Sequence, residues 1–244
     1  LKEDAMDLVG KWVPAPSKAD QLDALRKGMN LAASLGITSI QNASGSEEEL
    51  KLYQQLLSSN ELTLRYAAAF SVGENSTPED LERFTFLKDS IGTANPWIRA
   101  DAIKFMIDGV IESHTAAMLE HYADLLPEHE LALGMVNMST DRFQELVSEL
   151  DKRGFRLYTH AIGDRGVREV LAAYEKAQSS NPARDRRHRI EHIETIAPED
   201  LPRFAKGGIL ASMEPIHADP ATVGVWAKAI GEERLPWSFA WNSM

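Results

Sequence analysis

The sequence predicts an α/β fold built around a parallel sheet. Short apolar segments of strand length alternate with amphipathic segments of helical period along most of the chain. Such alternation is typical of right-handed βαβ units, in which the strands run parallel. The fingerprint G-x-G-x-x-G, which a dinucleotide-binding sheet carries after its first strand, does not occur. Periodicity therefore predicts the class of the sheet and leaves open whether the sheet closes into a barrel.

Six segments have the length and apolar character of buried strands, and each follows a predicted helix. The strands are residues 36–43, 62–70, 98–109, 155–161, 188–194 and 209–218. The helices are residues 17–36, 46–59, 77–92, 140–154, 164–177 and 198–208. Residues 110–139 form the longest stretch without a clear element, and we expect this long loop to shape a substrate pocket.

Residues at the helix boundaries support these assignments. Ser46 and Glu49 have the spacing of a capping box. Thr77 followed by Pro78 is typical of a helix start, because proline is tolerated in the first turn. Gly154 is typical of a helix end.

Composition and charge restrict the kinds of partner. The chain has 244 residues, and an α/β barrel takes about 250, so one domain can account for all of it. A formal net charge of -11 argues against nucleic acid and anionic membranes as partners, since both attract lysine and arginine. The absence of cysteine excludes disulfides, zinc–thiolate sites and a cysteine nucleophile, and is compatible with the cytoplasm. We therefore expect a small-molecule substrate.

Polar side chains stand at or near the ends of four predicted strands. They are Lys104, Asp108, His160, Glu191, His192, Glu214 and His217. Parallel α/β folds bind ligands at the carboxyl ends of their strands. Histidines from two separate strands suit a metal such as Zn²⁺, although a strand-end histidine can also simply hydrogen-bond to a neighbouring loop. Asp164, which follows His160, is either a solvated turn residue or a substrate contact.

Lys104 lies within a predicted strand, where an ammonium group is costly to bury. Its side chain could extend to the rim of the sheet. It could act as a Schiff-base lysine, as in barrel aldolases. It could also react with CO₂ to form a carbamate that bridges two metals. The residues themselves do not rank the last two alternatives.

Three motifs occur in a family-specific order: K-x-x-x-D-G from Lys104, H-A-x-G-D from His160, and R-I-E-H ending at His192. With the segments around them, they resemble the amidohydrolase superfamily. The resemblance is to the amidohydrolase family 3 branch, which includes N-substituted formamide deformylases. It runs over essentially the whole chain.

The resemblance implies a metal-dependent (β/α)8 barrel, usually beside a small β-sandwich. It implies that Lys104, His160 and His192 are metal ligands on the fourth, fifth and sixth strands. The implied cofactor is a divalent metal ion, with Zn²⁺ as the first candidate. In the full-length parent, a carboxylated Lys104 would make the site binuclear. Metal-activated water then hydrolyses the C–N bond of an amide or formamide. Beside the ligands, catalytic roles are assigned to Asp108 and Glu191, and substrate contacts to Asp164, Glu214 and His217.

The chain also departs from the family pattern. It contains neither the H-x-H pair of the first strand nor the aspartate of the eighth, and it begins without methionine. Glu214 stands where the family commonly has glutamine. We expect residues 1–244 to form one partial barrel with strands two to seven of eight, without the β-sandwich, and with weak metal occupancy.

Two other functions remain open. The chain could be a catalytically incomplete fragment whose open sheet edges pair with a second copy in a homo-oligomer. It could also be a Schiff-base lyase that uses Lys104.

Overall fold

Six parallel strands form one sheet in the computed structural model, which describes residues 6–92, 94–221 and 223–244. The strands are Ser39–Gly45 (β1), Arg65–Ser71 (β2), Ile98–Met106 (β3), Arg156–Ala161 (β4), Arg189–His192 (β5) and Leu210–Ser212 (β6). Their order in the sheet is their order in the chain, and every neighbouring pair is parallel. The predicted α/β class is therefore confirmed.

Eight α-helices occur in the described residues, and most of them pack against the outer face of the sheet. They are Asp7–Gly10 (α1), Lys18–Ser34 (α2), Glu47–Ser58 (α3), Pro78–Ile91 (α4), Thr140–Lys152 (α5), Asp164–Ser180 (α6), Leu201–Gly207 (α7) and Val223–Ile230 (α8). Helices α3 to α7 each join one strand to the next. Among the described residues, none of these helices combines the length and the apolar character that crossing a membrane requires.

The sheet is curled into a half-barrel. Arg189 of β5 donates a hydrogen bond to Gln41 of β1, although three strands lie between them. In a flat sheet with strands about 4.8 Å apart, these two strands would be separated by about 19 Å, beyond the reach of the two side chains. Strong curvature brings them together, which fits part of a (β/α)8 barrel.

The two faces of the curled sheet differ in character. Side chains on the outer face pack against the helices, as Leu157 does, and Thr159 lies 2.7 Å from the hydroxyl of Tyr174 in α6. The inner face carries charged and polar residues. Because side chains alternate along a strand, residues of β4 two apart, such as Tyr158 and His160, both point inward. The candidate site occupies this inner face.

Two predicted strand ends near the candidate site differ from the structure. The last strand ends at Ser212 and not at 218, because Pro215 starts a 3-10 helix over Pro215–Ala218 and has no backbone N–H for a ladder. Strand β3 ends at Met106, three residues before its predicted end at 109.

The predicted capping box at Ser46 is only half formed. Ser46 accepts a hydrogen bond from the backbone of Glu49, as expected. The Glu49 carboxylate instead accepts one from Asn42 at 2.6 Å, because the side chain is drawn to a partner in β1.

The long loop over 110–139 has its own small core. Its buried residues Ile111, Met118 and Tyr122 pack with Trp226 and Ile230 of α8. Sequence periodicity missed α8, which has only two turns. The loop is thus held by apolar contacts with the C-terminal segment and contains a short 3-10 helix.

Candidate active site

The strand register brings three of the predicted site residues onto one face. His160 pairs with Met106 of β3 on one side and with Glu191 of β5 on the other, and Lys104 pairs with Tyr158. Paired residues in a parallel sheet lie on the same face, so Lys104, His160 and Glu191 all point into the half-barrel. All three are buried, with 8%, 5% and 5% of their surface exposed.

Lys104 and Glu191 form an ion pair across β4. The other oxygen of the Glu191 carboxylate accepts hydrogen bonds from Arg189, at 2.9 Å from Nε and 2.6 Å from the terminal nitrogen. Burial acts to raise the pKa of Glu191, but the charges of Lys104 and Arg189 outweigh it and lower the pKa. The Arg189 guanidinium also lies 3.6 Å from the centre of the Tyr158 ring. Glu191 is therefore an ionised acceptor held between two cations.

A strained turn aims His192 into the half-barrel. Alternation along β5 would direct His192 outward, since Glu191 points inward and Ile190 packs in the outer core. Instead, His192 has φ 77°, and the N–H of Ile193 reaches back to the carbonyl of Glu191 at 3.2 Å. This is the rare three-residue γ-turn with positive φ. Ile193 also has a positive φ, of 51°, which is a genuine outlier for a β-branched residue.

The turn places the His192 ring among two other imidazoles. Its centre lies 4.5 Å from the centre of the His160 ring and 5.0 Å from that of His217, to which it is stacked at 6°. Burial, and next the charges of His160, Lys104 and His217, lower the pKa of His192 to about 2. The imidazole is therefore neutral, the form in which histidine binds metals.

One nitrogen of His192 is buried without a hydrogen bond. Within the described part of the chain, Nδ1 has no hydrogen-bond partner, and the Glu214 carboxylate oxygen 3.7 Å away is too distant for one. Buried polar atoms are nearly always paired, so an unpaired one requires an explanation. A bound cation supplies one.

His160 is oriented by the loop that follows β3. Its Nε2 lies 2.9 Å from the carbonyl of Gly109 and 3.4 Å from the Asp108 carboxylate. In the neutral ring, a nitrogen that faces a carbonyl carries the proton, so the lone pair is on Nδ1. Such a second-shell contact fixes the tautomer of a metal-binding histidine.

Asp108, predicted as a catalytic group, is fully buried and holds backbone together. One carboxylate oxygen accepts hydrogen bonds from the N–H groups of Ala117 at 3.0 Å and Gly163 at 2.9 Å. The other accepts one from Ile162 at 3.1 Å. These bonds join the long loop to the start of α6, which is a structural task, and a catalytic role for Asp108 stays a prediction.

Asp164 faces away from the histidines, toward the long loop. Its carboxylate accepts hydrogen bonds from the backbone of Leu119 and Arg165, each at 2.8 Å, and lies 3.9 Å from Arg234. Burial raises its pKa against these contacts. It borders a cleft of about 980 Å³ that is also lined by residues 119–121, 195–199 and 230–234.

Glu214 and His217, predicted as substrate contacts, lie beside His192 after the end of β6. His217 Nε2 is 3.0 Å from the Glu214 carboxylate. Its Nδ1 is 2.8 Å from the carboxylate of Glu194, a buried acid that sequence reasoning missed. Burial raises the pKa of Glu194 against the contacts with Trp226 and His217. Its one signal in the sequence is its position two residues after His192.

Comparison with known proteins agrees with the fold. A model of the amidohydrolase family, of the family 3 branch, matches residues 1–244. The chain belongs to the amidohydrolase family. Similar proteins include LONG AFTER FAR-RED 3 of Arabidopsis thaliana, 30% identical over 96% of this chain. They also include the putative amidohydrolase YtcJ of Bacillus subtilis, 25% identical over 100% of it.

Solved structures support the barrel architecture. An uncharacterised metal-dependent hydrolase from Pyrococcus furiosus covers 100% of this chain with a TM-score of 0.79 at 23% identity. One from Pyrococcus horikoshii covers 98% with a TM-score of 0.77 at 20% identity. The match covers 48% and 45% of those chains, and 40% and 44% of the two curated relatives. This amidohydrolase chain thus spans less than half the length of these relatives.

Proposed function

We propose that this chain carries part of the active site of a metal-dependent hydrolase that cleaves an amide or formamide C–N bond in a small molecule. The observation that supports it best is the His160–His192 pair at the carboxyl ends of β4 and β5. Both rings are oriented by backbone features, His160 by the Gly109 carbonyl and His192 by its γ-turn. The amide or formamide substrate class comes from the family resemblance.

The donor atoms fit a divalent ion. The buried imidazole of His160, the partly buried imidazole of His192 and its unpaired ring nitrogen suit Zn²⁺, which is the ion we propose. Lys104 does not fit in its observed state, because an ammonium paired with Glu191 has no lone pair. It becomes a ligand only as a carbamate, and Arg189 is then the cation that offsets two adjacent negative charges. A bound divalent ion supplies a Lewis acid and lowers the pKa of water.

The remaining predicted residues have distinct proposed tasks. Glu191, held ionised by its two cationic neighbours, accepts a hydrogen bond or proton beside the ligands once Lys104 is modified. Glu214, half exposed beside His192, contacts substrate together with His217. Asp164 contacts only that part of the substrate that extends into the cleft bordered by Asp164.

The observed ion pair disfavours the Schiff-base alternative. Attack on a carbonyl needs a neutral amine, and the Lys104 ammonium donates to Glu191.

An inactive fragment and pairing of sheet edges with a second copy both stay predictions. Assembly with a second copy would be measured as a dimer by sedimentation.

Metal analysis of the purified, dialysed chain tests the proposal. We expect a low but measurable zinc content in the wild type, because the family ligands of the first and eighth strands are missing, and none in the His160→Ala/His192→Ala double variant. A matched control is the His121→Ala/His129→Ala double variant, which removes two exposed histidines and should retain the metal. Hydrolysis of N-formyl amines is then assayed on the zinc-loaded chain. Equal metal content in all three proteins would contradict the assigned ligands.

A further inference from the structure

We propose that His192, Glu214 and His217 form a second metal position, a His₂Glu site for a first-row divalent transition ion. It lies on the β6 side of His192, away from Lys104. One ligand atom from each of the three residues lies within 4.8 Å of the others. The position uses the same His192 nitrogen as the proposed hydrolytic centre, and because a neutral imidazole has one lone pair, His192 binds one ion at a time, either here or beside His160. The inference deepens the proposed function and rests on it only for the use that the ion serves.

The distances between the ligand atoms match a metal site. His217 Nε2 and the nearer Glu214 oxygen are 3.0 Å apart, and His192 Nδ1 and the other Glu214 oxygen are 3.7 Å apart. Ligands bonded at about 2.0–2.1 Å to a tetrahedral ion are about 3.3 Å from one another. These two distances lie on either side of this value, and the third pair, His192 and His217, lies within 4.8 Å, so the side chains close around the ion by moving their ligand atoms together.

Glu194 orients His217 toward this position. Its carboxylate lies 2.8 Å from His217 Nδ1, and its other oxygen accepts a hydrogen bond from Trp226 Nε1 at 2.7 Å. Trp226 is itself buried in the small core of the long loop. A carboxylate that holds the far nitrogen of a histidine is the usual second-shell partner of a metal ligand. Glu194 thus fixes the proton on Nδ1 and leaves the Nε2 lone pair for the site.

An ion would satisfy two groups that are otherwise unfavourable. The Nε2 lone pair of His217 faces a carboxylate oxygen at 3.0 Å, and two acceptors at that distance repel unless a proton or cation lies between them. A second proton on His217 would remove this repulsion. It would still leave His192 Nδ1 buried without a partner among the described residues. One cation bonded to all three side chains would remove both the repulsion between His217 and Glu214 and the lack of a partner for His192 Nδ1.

The donor set defines the class of ion. Two imidazoles and a carboxylate form the protein ligands of several catalytic zinc sites. They also suit other first-row divalent ions, including Fe²⁺ and Co²⁺. Three protein ligands leave coordination positions free for water or a substrate atom.

Cobalt titration of the metal-free chain tests the position, with the visible absorption of bound Co²⁺ as the readout. We expect His217→Ala and Glu214→Gln each to weaken the Co²⁺ dissociation constant at least tenfold. Glu194→Gln should weaken it about 10–100-fold, since it removes only an orienting partner. Glu214 is half exposed, so its variant should fold even where the other two do not. His121→Ala, which removes an exposed histidine, is the matched control.

His160→Ala separates this position from the proposed hydrolytic centre. Normal Co²⁺ affinity in His160→Ala with weak binding in His217→Ala and Glu214→Gln supports the second position and contradicts the assignment of His160. Wild-type affinity in both His217→Ala and Glu214→Gln overturns the second position, and a loss in His160→Ala then upholds the first. No cobalt binding by the wild-type chain also overturns it.

Discussion

Lys104 and Glu191 lie two strands apart in the sheet and yet form a buried ion pair across the inner face of the half-barrel. Their side chains are 10% and 6% exposed. The pair forms because the sheet is curved at β4, which carries Tyr158. This curvature brings the Lys104 side chain of β3 within reach of Glu191 in β5. The pair therefore reports both the curvature of the sheet and the charge balance of the candidate site.

Removing one partner of this pair should destabilise the chain. We expect Glu191→Gln to lower the free energy of unfolding by about 3 kcal/mol, because Lys104 would remain as an uncompensated buried charge. Urea unfolding followed by circular dichroism measures the effect. Asp185→Asn is the control, since it breaks an exposed ion pair with Arg187 and should change stability by less than about 0.5 kcal/mol. Equal effects would mean that the Lys104 pair is solvated.

Asp108→Asn tests whether this buried carboxylate is structural. We expect a loss of about 2–3 kcal/mol in unfolding free energy. In the variant, the amide N–H₂ group would face backbone N–H groups that donate to the Asp108 carboxylate in the wild type, and two donors cannot hydrogen-bond to each other. Thermal or urea unfolding measures it, with any metal removed beforehand so that ligand loss does not contribute. An unchanged stability with loss of hydrolysis alone would support a catalytic role for Asp108 instead of a structural one.

Gly163 lies where the start of α6 passes close to the long loop. A Cβ added there would be 2.0 Å from the carbonyl oxygen of Ala117. We expect Gly163→Ala to cost about 3 kcal/mol of unfolding free energy, since backbone must move to relieve the clash. Gly73→Ala is the control, because no heavy atom of the described residues lies within 4 Å of its Cβ. If the two variants are equally stable, the loop is not packed against α6 in solution.

Acidification should destabilise the chain below about pH 6.5. Burial outweighs the contact with Asp151 and lowers the pKa of His188, and the pKa of His192 is lowered to about 2. A histidine with a lower pKa in the folded chain than the ordinary value of about 6.5 takes up its proton preferentially on unfolding. Each contributes stability above that value, which declines by up to about 1.4 kcal/mol per pH unit below it.

The pH dependence of urea unfolding between pH 7.5 and 5 measures this decline. We expect His188→Gln to reduce the slope by up to one proton, and His121→Gln, an exposed control, to leave it unchanged. A wild-type slope in His188→Gln would show that His188 is protonated in the folded chain.

Asp151 adds a second loss of folding stability at lower pH. Burial alone would raise its pKa, but hydrogen bonds from His188, Arg186 and Asn181 outweigh burial and hold the pKa well below its ordinary value. Its stabilisation is therefore present above about pH 3.9, the unfolded value, and is lost as the pH falls further. In Asp151→Asn, the stability lost between pH 5 and 3 should be smaller than in the wild type.

Local patterns were enough to predict most of the architecture. Thr77 caps α4 as expected, Ser46 caps α3 without the reciprocal bond to Glu49, and α5 and α6 begin at their predicted starts. Predictions failed where local pattern is weak. The apolar run over 209–218 has strand composition, but a proline divides it, and α8 is too short to show a clear period.

The sequence by itself determined the parallel α/β class, the order of strands and helices, and the positions of Lys104 within a strand and of His160 and His192 at strand ends, because these follow from local periodicity and chain connectivity. The tertiary structure alone decided which of these side chains meet. Strand alternation would have turned His192 outward, and the γ-turn that reverses it is strained backbone that only the surrounding contacts maintain. The Glu194–His217 contact likewise joins residues whose proximity depends on the curl of the sheet and on Trp226.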